Sequence, residues 1–152
     1  MRFCRCEMLI GADALENLKN SSVAVFGVGG VGGYVVEALT RSGVGRIAII
    51  DKDVVDESNI NRQIVALTST IGKNKVDVMK QRMLDINPDV KVEAHCEFYL
   101  PDNADFIELG SFDYVVDAID NVTAKIELIK RCKQADVPII SAMGAGNKLD
   151  PT

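Results

Sequence analysis

The sequence predicts an α/β domain built as a doubly wound parallel sheet of the Rossmann-like kind. Three observations predict it. Short apolar runs suited to buried strands alternate along the chain with longer stretches of helical period. A glycine-rich turn with the spacing Gly27-x-Gly29-x-x-Gly32 follows the first apolar run and opens a helical stretch. The next apolar run ends in Asp51, about 20 positions beyond the glycines, where an acidic side chain can accept hydrogen bonds from ribose hydroxyls. Strand, turn, helix and strand therefore read as a βαβ nucleotide-binding unit. The glycines divide three tasks: a tight turn, a close approach of backbone to phosphate, and close packing of helix on strand. The helix N-terminus offers unpaired N–H groups and a partial positive charge to that phosphate.

The elements follow in order. Leu9, Ile10, Leu15 and Leu18 predict a helix across L-I-G-A-D-A-L-E-N-L-K at the domain edge. Ser22 to Phe26 is apolar enough for a central parallel strand, and Gly33 to Ser42 is the helix after the glycine turn. Gly43 and Gly45 end that helix, and Arg46 to Asp51 forms the second strand. The polar stretch that follows carries the donor cluster Asn59, Asn61, Arg62 and Gln63 beside the carboxyl end of that strand, where ligands of open α/β sheets lie. As a solvated loop it would need no special explanation.

From Lys73 to Ile86, Val76, Met79, Met83 and Ile86 share one helical face, and Asn87-Pro88 ends the helix. Val90, Val92 and Ala94 alternate with polar residues, as in a strand near a sheet edge. A short helix is expected from Pro101 toward Leu109 with Asp102 as N-cap. Tyr114 to Ile119 reads as a buried strand that delivers Asp120 to the same sheet edge as Asp51. Val122 to Ala135 is helical and Pro138 to Ser141 is a last parallel strand. The chain then stops after a glycine-rich turn without a closing helix, so residues 1–152 are expected to be one nucleotide-binding adenylating domain, the N-terminal portion of a longer protein.

Composition sets the class. With 47% hydrophobic and 26% charged residues, the chain has the make-up of a soluble globular domain. No apolar run approaches the ~20 residues that span a bilayer, so no membrane partner is expected. No charged-then-apolar leader opens the chain, and the expected location is the cytoplasm. A net charge of −5 argues against a broad basic surface for nucleic acid. Cys4, Cys6, Cys96 and Cys132 lack the spacing of a structural zinc site and are expected to be reduced thiols. His95, the sole histidine, receives no role.

The residues alone leave two nucleotides open. A dehydrogenase would use Asp51 on the ribose of NAD and needs a general acid or base beside its substrate. An ATP-using enzyme needs cations on the phosphates and a carboxylate for Mg²⁺. Arg62, Lys73, Lys75 and Asp120 supply such groups, and no histidine is placed for hydride transfer, so the residues favour ATP.

The ordered set G-V-G-G-V-G-G, I-I-D-K-D, S-N-I-N-R-Q, I-G-K-N-K, I-N-P and D-A-I-D-N-V resembles the ThiF/MoeB/HesA family, relatives of ubiquitin-activating enzymes. The R-F opening, N-I-N-R-Q and the ending G-A-G-N-K-L-D-P-T look most like its tRNA threonylcarbamoyladenosine dehydratase branch. The resemblance implies ATP-dependent activation of a carboxylate as an acyl-adenylate, with ATP and Mg²⁺ required. By position it implies that Gly27, Gly29, Gly30 and Gly32 line the phosphates and that Asp51 holds the ribose. It further implies that Asn59, Arg62 and Lys75 contact the triphosphate and that Asp120 supports the metal. Arg5 matches an arginine that in the family reaches the partner subunit's ATP site, which implies a homodimer. The implied acceptor is tRNA, held through sequence beyond this chain. In sister branches it is the C-terminal glycine of a small sulfur-carrier protein. Relatives of this kind continue into segments that often carry a cysteine or a zinc site.

Overall fold

The computed structural model describes residues 2–144. Among them five strands form one parallel sheet, β1 (Ser22–Phe26), β2 (Arg46–Ile50), β3 (Lys91–His95), β4 (Tyr114–Asp117) and β5 (Ile139–Ser141), in the spatial order β3-β2-β1-β4-β5. The helices are α1 (Cys4–Ile10), α2 (Ala12–Asn20), α3 (Gly32–Ser42), α4 (Lys75–Ile86) and α5 (Val122–Gln134). The doubly wound sheet is therefore present, with β3 at one edge as its alternating pattern predicts. The chain leaves β1 for β2 on one side and later returns to β4 on the other, so the switch in winding direction falls between β1 and β4. That is where open α/β sheets hold ligands.

The pleat sorts the core into two layers. Val23, Val25, Ile47 and Ile49 face α3 and α4, where they pack with Val36, Val76, Met79 and Met83. Ala24, Phe26, Ala48, Ile50 and Val115 face the opposite way, onto Tyr99, Leu109, Phe112, Leu128 and Cys132. Because β1 is covered on both faces, its run V-A-V-F has no polar member. The four cysteines are free thiols. No helix among the described residues is long and apolar enough to cross a membrane.

The strand expected over Tyr114 to Ile119 ends at Asp117, other ends differ by a residue, and three further differences have a local cause. The helix expected across residues 9–19 is two helices, because Gly11 stands at φ 88° and breaks the ladder between α1 and α2. The helix expected from Lys73 begins at Lys75, since Lys73 and Gly72 are taken up in backbone bonds to Val55. The stretch after Pro101 forms two single 3₁₀ turns, Ala104–Phe106 and Leu109–Ser111, and Asn103 rather than Asp102 precedes the first. Asn103 closes its turn by accepting from the Leu100 N–H at 2.8 Å and donating to the Phe98 carbonyl at 2.6 Å. The tail from residue 145 onward, including most of G-A-G-N-K-L-D-P-T, lies outside the described residues.

One ion cluster ties α3 to α4. Glu37 accepts from Arg82 Nε at 2.6 Å and Nη2 at 3.0 Å, and from Arg41 Nε at 2.7 Å. The bond from Arg82, aided by Arg41, holds the Glu37 carboxyl below its usual value of 4.5 against the opposing effect of burial. A depressed folded-state pKa gives stability that is present above the unfolded-state value and lost as pH falls through the folded one. Thermal melts from pH 7 down to pH 3 are therefore expected to show a steeper acid loss in the native chain than in Glu37→Gln. Parallel acid legs in the two proteins would contradict this.

Candidate functional site

Three loops converge at the carboxyl edge of the sheet. The first follows β1. Gly27 adopts φ 90°, and a β-carbon there would lie 2.6 Å from the Ala118 carbonyl oxygen. Gly32 sits beneath the turn, where a β-carbon would fall 1.7 Å from the Gly27 carbonyl oxygen. These two glycines let the turn close and α3 pack on it. At Gly29 and Gly30 a β-carbon would meet only side-chain and backbone atoms of Gln63 and Arg62, at 3.6 Å or more. Among the described residues nothing comes closer to the backbone there.

The second loop follows β2. Asp51 is pinned from both oxygens: Oδ2 accepts from the Val28 N–H at 2.7 Å and Oδ1 from the Asp53 N–H at 2.8 Å. A carboxylate has about four lone-pair positions, so each oxygen retains capacity for a ligand hydroxyl. Beyond it, Asp56 caps a 3₁₀ turn, accepting from the Ser58 N–H at 2.8 Å, while Asn59 Oδ1 accepts from the Asp56 N–H at 3.1 Å. Arg62 extends from this turn. Among the described residues only its Nη1 is engaged, with the Ser58 carbonyl at 3.0 Å and Asn61 Oδ1 at 2.8 Å. Lys75 comes from the start of α4, which is fixed because its N–H donates to the Asp53 carbonyl at 3.0 Å. Lys75 is 5% exposed, and its Nζ reaches Asp53 Oδ2 at 3.3 Å.

The third loop follows β4. Asn121 caps α5 by accepting from the Ala124 N–H at 3.0 Å, which ends the turn and leaves Asp120 exposed at the sheet edge. Beneath the loop lies a buried ion pair. Asp117 is fully buried and accepts from Lys125 Nζ at 2.7 Å; Lys125 also donates to the Ala142 carbonyl at 3.0 Å, and the Ile119 N–H donates to Asp117 Oδ1 at 3.1 Å. The pair thus joins the segment after β4 to the segment after β5.

Together the loops enclose a cleft of about 500 Å³, within the roughly 300–1,000 Å³ of small-molecule sites. Gly27, Gly29, Gly30, Asp51, Asn59, Arg62, Lys75 and Asp120 all line it. Two sequence expectations find other places. Gly32 lies under the wall rather than on it, because its missing side chain makes room for backbone and not for a ligand. Lys73 is exposed in the loop before α4 and does not line the cleft. Arg5, expected at the site of a partner subunit rather than at this one, is exposed on α1. Residues not singled out from sequence also line it, among them Lys52, Phe98, Tyr99 and Met143. Lys52 Nζ lies 4.2 Å from the centre of the Phe98 ring. Tyr99 packs edge-on against Phe26 with ring centroids 4.9 Å apart, and burial pushes its hydroxyl up to about 12. His95 ends the edge strand with its ring 5.5 Å from Phe106 and does not line the cleft.

A parallel sheet with a bare glycine wall at its switch point, a doubly anchored carboxylate after β2 and two cations opposite is a Rossmann-like α/β domain with its cleft furnished for a nucleotide. The model of the ThiF family matches residues 3–151, and the chain belongs to that family. The tRNA threonylcarbamoyladenosine dehydratase of Bacillus subtilis is 55% identical over 152 residues, covering 99% of this chain and 59% of the relative. The crystal structure of E. coli tRNA N6-threonylcarbamoyladenosine dehydratase in complex with ATP superposes with a TM-score of 0.90 at 39% identity, over 99% of this chain and 62% of that one. A sulfur carrier protein adenylyltransferase of Thermus thermophilus is 40% identical over 112 residues, or 74% of this chain and 41% of the relative. The chain thus spans about 60% of the length of the dehydratases it matches.

Proposed function

We propose that this domain binds ATP and activates a carboxylate by adenylation, and that the carboxylate is that of threonylcarbamoyladenosine in tRNA. The observation that carries the reading is the coincidence of the bare glycine wall, Asp51, Arg62 and Lys75 in one cleft with 55% identity to a dehydratase over nearly the whole chain. The residues fit the nucleotide. Phosphates would sit on the N–H groups around Gly29 and Gly30, and the ribose would donate to the unused lone pairs of Asp51. Asn59, Arg62 and Lys75 have side-chain donors to spend on a triphosphate. Asp120, exposed at the cleft and without a hydrogen bond among the described residues, would hold Mg²⁺, which when bound neutralises phosphate charge.

In adenylation a carboxylate oxygen attacks the α-phosphorus and pyrophosphate leaves, so negative charge grows on the phosphoryl oxygens. Arg62, Lys75 and the glycine-loop N–H groups are fixed donors for that charge. Ring closure on the activated carbonyl then expels AMP. The net change in the tRNA base is loss of water, matched by ATP becoming AMP and pyrophosphate. On this reading the tRNA is gripped by sequence outside this chain, Arg5 serves the cleft of a second copy in a homodimer, and the protein works in the cytoplasm.

The likeness to the Thermus thermophilus adenylyltransferase favours a second reading, with the C-terminal glycine of a sulfur-carrier protein as acceptor. One experiment separates the two. Full-length protein is incubated with ATP, Mg²⁺ and tRNA bearing threonylcarbamoyladenosine, and the nucleoside is analysed. ATP-dependent conversion to the cyclic form, cut at least about ten-fold by Asp120→Ala, is expected. An unchanged nucleoside, together with a stable complex with a small protein ending in Gly-Gly, would replace the first reading with the second.

A further inference from the structure

The side chain of Asp120 makes no hydrogen bond among the described residues, so its place at the cleft depends on how the backbone on either side is held. The buried Asp117–Lys125 pair holds it. Asp117 Oδ1 accepts from the Ile119 N–H at 3.1 Å and fixes the chain just before Asp120. Its Oδ2 accepts from Lys125 Nζ at 2.7 Å and so closes the loop over residues 118–124. On the far side of Asp120, the Lys125 N–H donates to the Asn121 carbonyl at 3.0 Å. The same two residues hold the segment after β5. The Ala142 N–H donates to the Asp117 carbonyl at 2.8 Å, and Lys125 Nζ donates to the Ala142 carbonyl at 3.0 Å. Ala118, Ile119, Asp120 and Ala142 line the cleft, whereas Asp117 and Lys125 stand behind it.

Stability gives no reason for an ion pair here. Asp117 is fully buried and Lys125 is 9% exposed, and apolar residues of like volume in place of such a pair are often as stable or more so. Lys125 also stands in the first turn of α5, where the helix dipole disfavours a cation. What the pair supplies, and an apolar couple lacks, is direction: it takes one particular N–H and gives to one particular carbonyl. We propose that Asp117 and Lys125 are positioning residues for the metal, fixing the loop so that the Asp120 carboxylate meets Mg²⁺ without rearrangement. Asp120 remains the group that touches the ion. The assignment rests on the ATP and Mg²⁺ reading given above.

The test compares the native full-length protein with Asp120→Ala, with the double variant Asp117→Leu/Lys125→Met, and with all three changes combined. Changing both partners avoids the stranded charge that either single change leaves. ATP affinity is titrated in Mg²⁺ and in EDTA, and thermal melts are recorded. The double variant is expected to melt at the same or a higher temperature and to bind ATP in EDTA as the native protein does. It is expected to lose about ten-fold of the tightening that Mg²⁺ gives. Adding the double change to Asp120→Ala is expected to bring no further loss, since both act through one carboxylate. Where the apolar couple fails to fold, Asp117→Asn/Lys125→Gln carries the same test, with a smaller loss of the same kind expected. Full Mg²⁺ tightening in a folded pair variant would overturn the assignment and leave the ATP reading intact. A loss that multiplies with that of Asp120→Ala would also overturn it, as would an equal loss with and without Mg²⁺, which marks a structural pair. A native protein that binds no ATP, or whose Mg²⁺ tightening survives Asp120→Ala, would defeat the ATP and Mg²⁺ reading and this assignment with it.

Discussion

Gly32→Ala is expected to lower the melting temperature by at least about 6 °C, whereas Gly29→Ala leaves it within about 2 °C and removes nucleotide binding. The two glycines belong to one motif but face different neighbours. A methyl at Gly32 would lie 1.7 Å from the Gly27 carbonyl oxygen, so the backbone of the turn or the start of α3 must move. Backbone displacement in a packed core costs on the order of 3 kcal/mol or more, and a domain of this size loses roughly 2–4 °C per kcal/mol. At Gly29 the nearest atom would be Gln63 Nε2 at 3.8 Å, an ordinary contact that strains nothing. The new methyl instead takes the space over which phosphate would approach the backbone. Melting curves and ATP titration of both variants check this, and equal stability of the two would contradict the division of roles.

Lys75→Ala is expected to weaken ATP·Mg²⁺ binding about 10- to 100-fold, the range of a charge-assisted hydrogen bond of roughly 1.5–3 kcal/mol, with little change in stability. The asymmetry of its ion pair explains why the fold survives. Lys75 is buried, but its partner Asp53 has a side chain 54% exposed, so water can solvate the carboxylate once the lysine is gone. The other buried lysine behaves differently. Removing Lys125 would strand Asp117, which is fully buried, and breaking such a pair costs about 3–5 kcal/mol. Calorimetry at fixed pH, with circular dichroism to confirm folding, checks the prediction for Lys75. Unchanged ATP affinity in a folded Lys75→Ala chain would remove Lys75 from the site.

Much of this arrangement is legible in the sequence because its signals are local. The apolar run of β1, the glycine spacing and the period of α3 fix the first βαβ unit to within a residue at each end. Strand–helix alternation then sends Asp51, the Asn59–Arg62 turn, Lys75 and Asp120 to one sheet edge, and the structure places all of them around one cleft. What depends on distant packing was not legible. The Asp117–Lys125 pair spans a strand end and a helix, and neither residue type announces burial. Periodicity runs through Gly11 without registering that φ 88° divides the helix there. Residues 96–112 contain no period long enough to read, yet Phe98 and Tyr99 from that stretch line the cleft. Gln63 was visible as one donor in a polar loop. That its Oε1 is buried without a hydrogen-bond partner among the described residues appears only when the surrounding atoms are in place.

Titrating the folded chain with ATP·Mg²⁺ and with NAD under identical conditions separates an adenylating cleft from a dinucleotide site. ATP·Mg²⁺ is expected to bind more tightly, and Lys75→Ala to abolish the preference. Tighter binding of NAD, or a preference untouched by Lys75→Ala, would contradict it and make Asp51 the ribose anchor of a dinucleotide site.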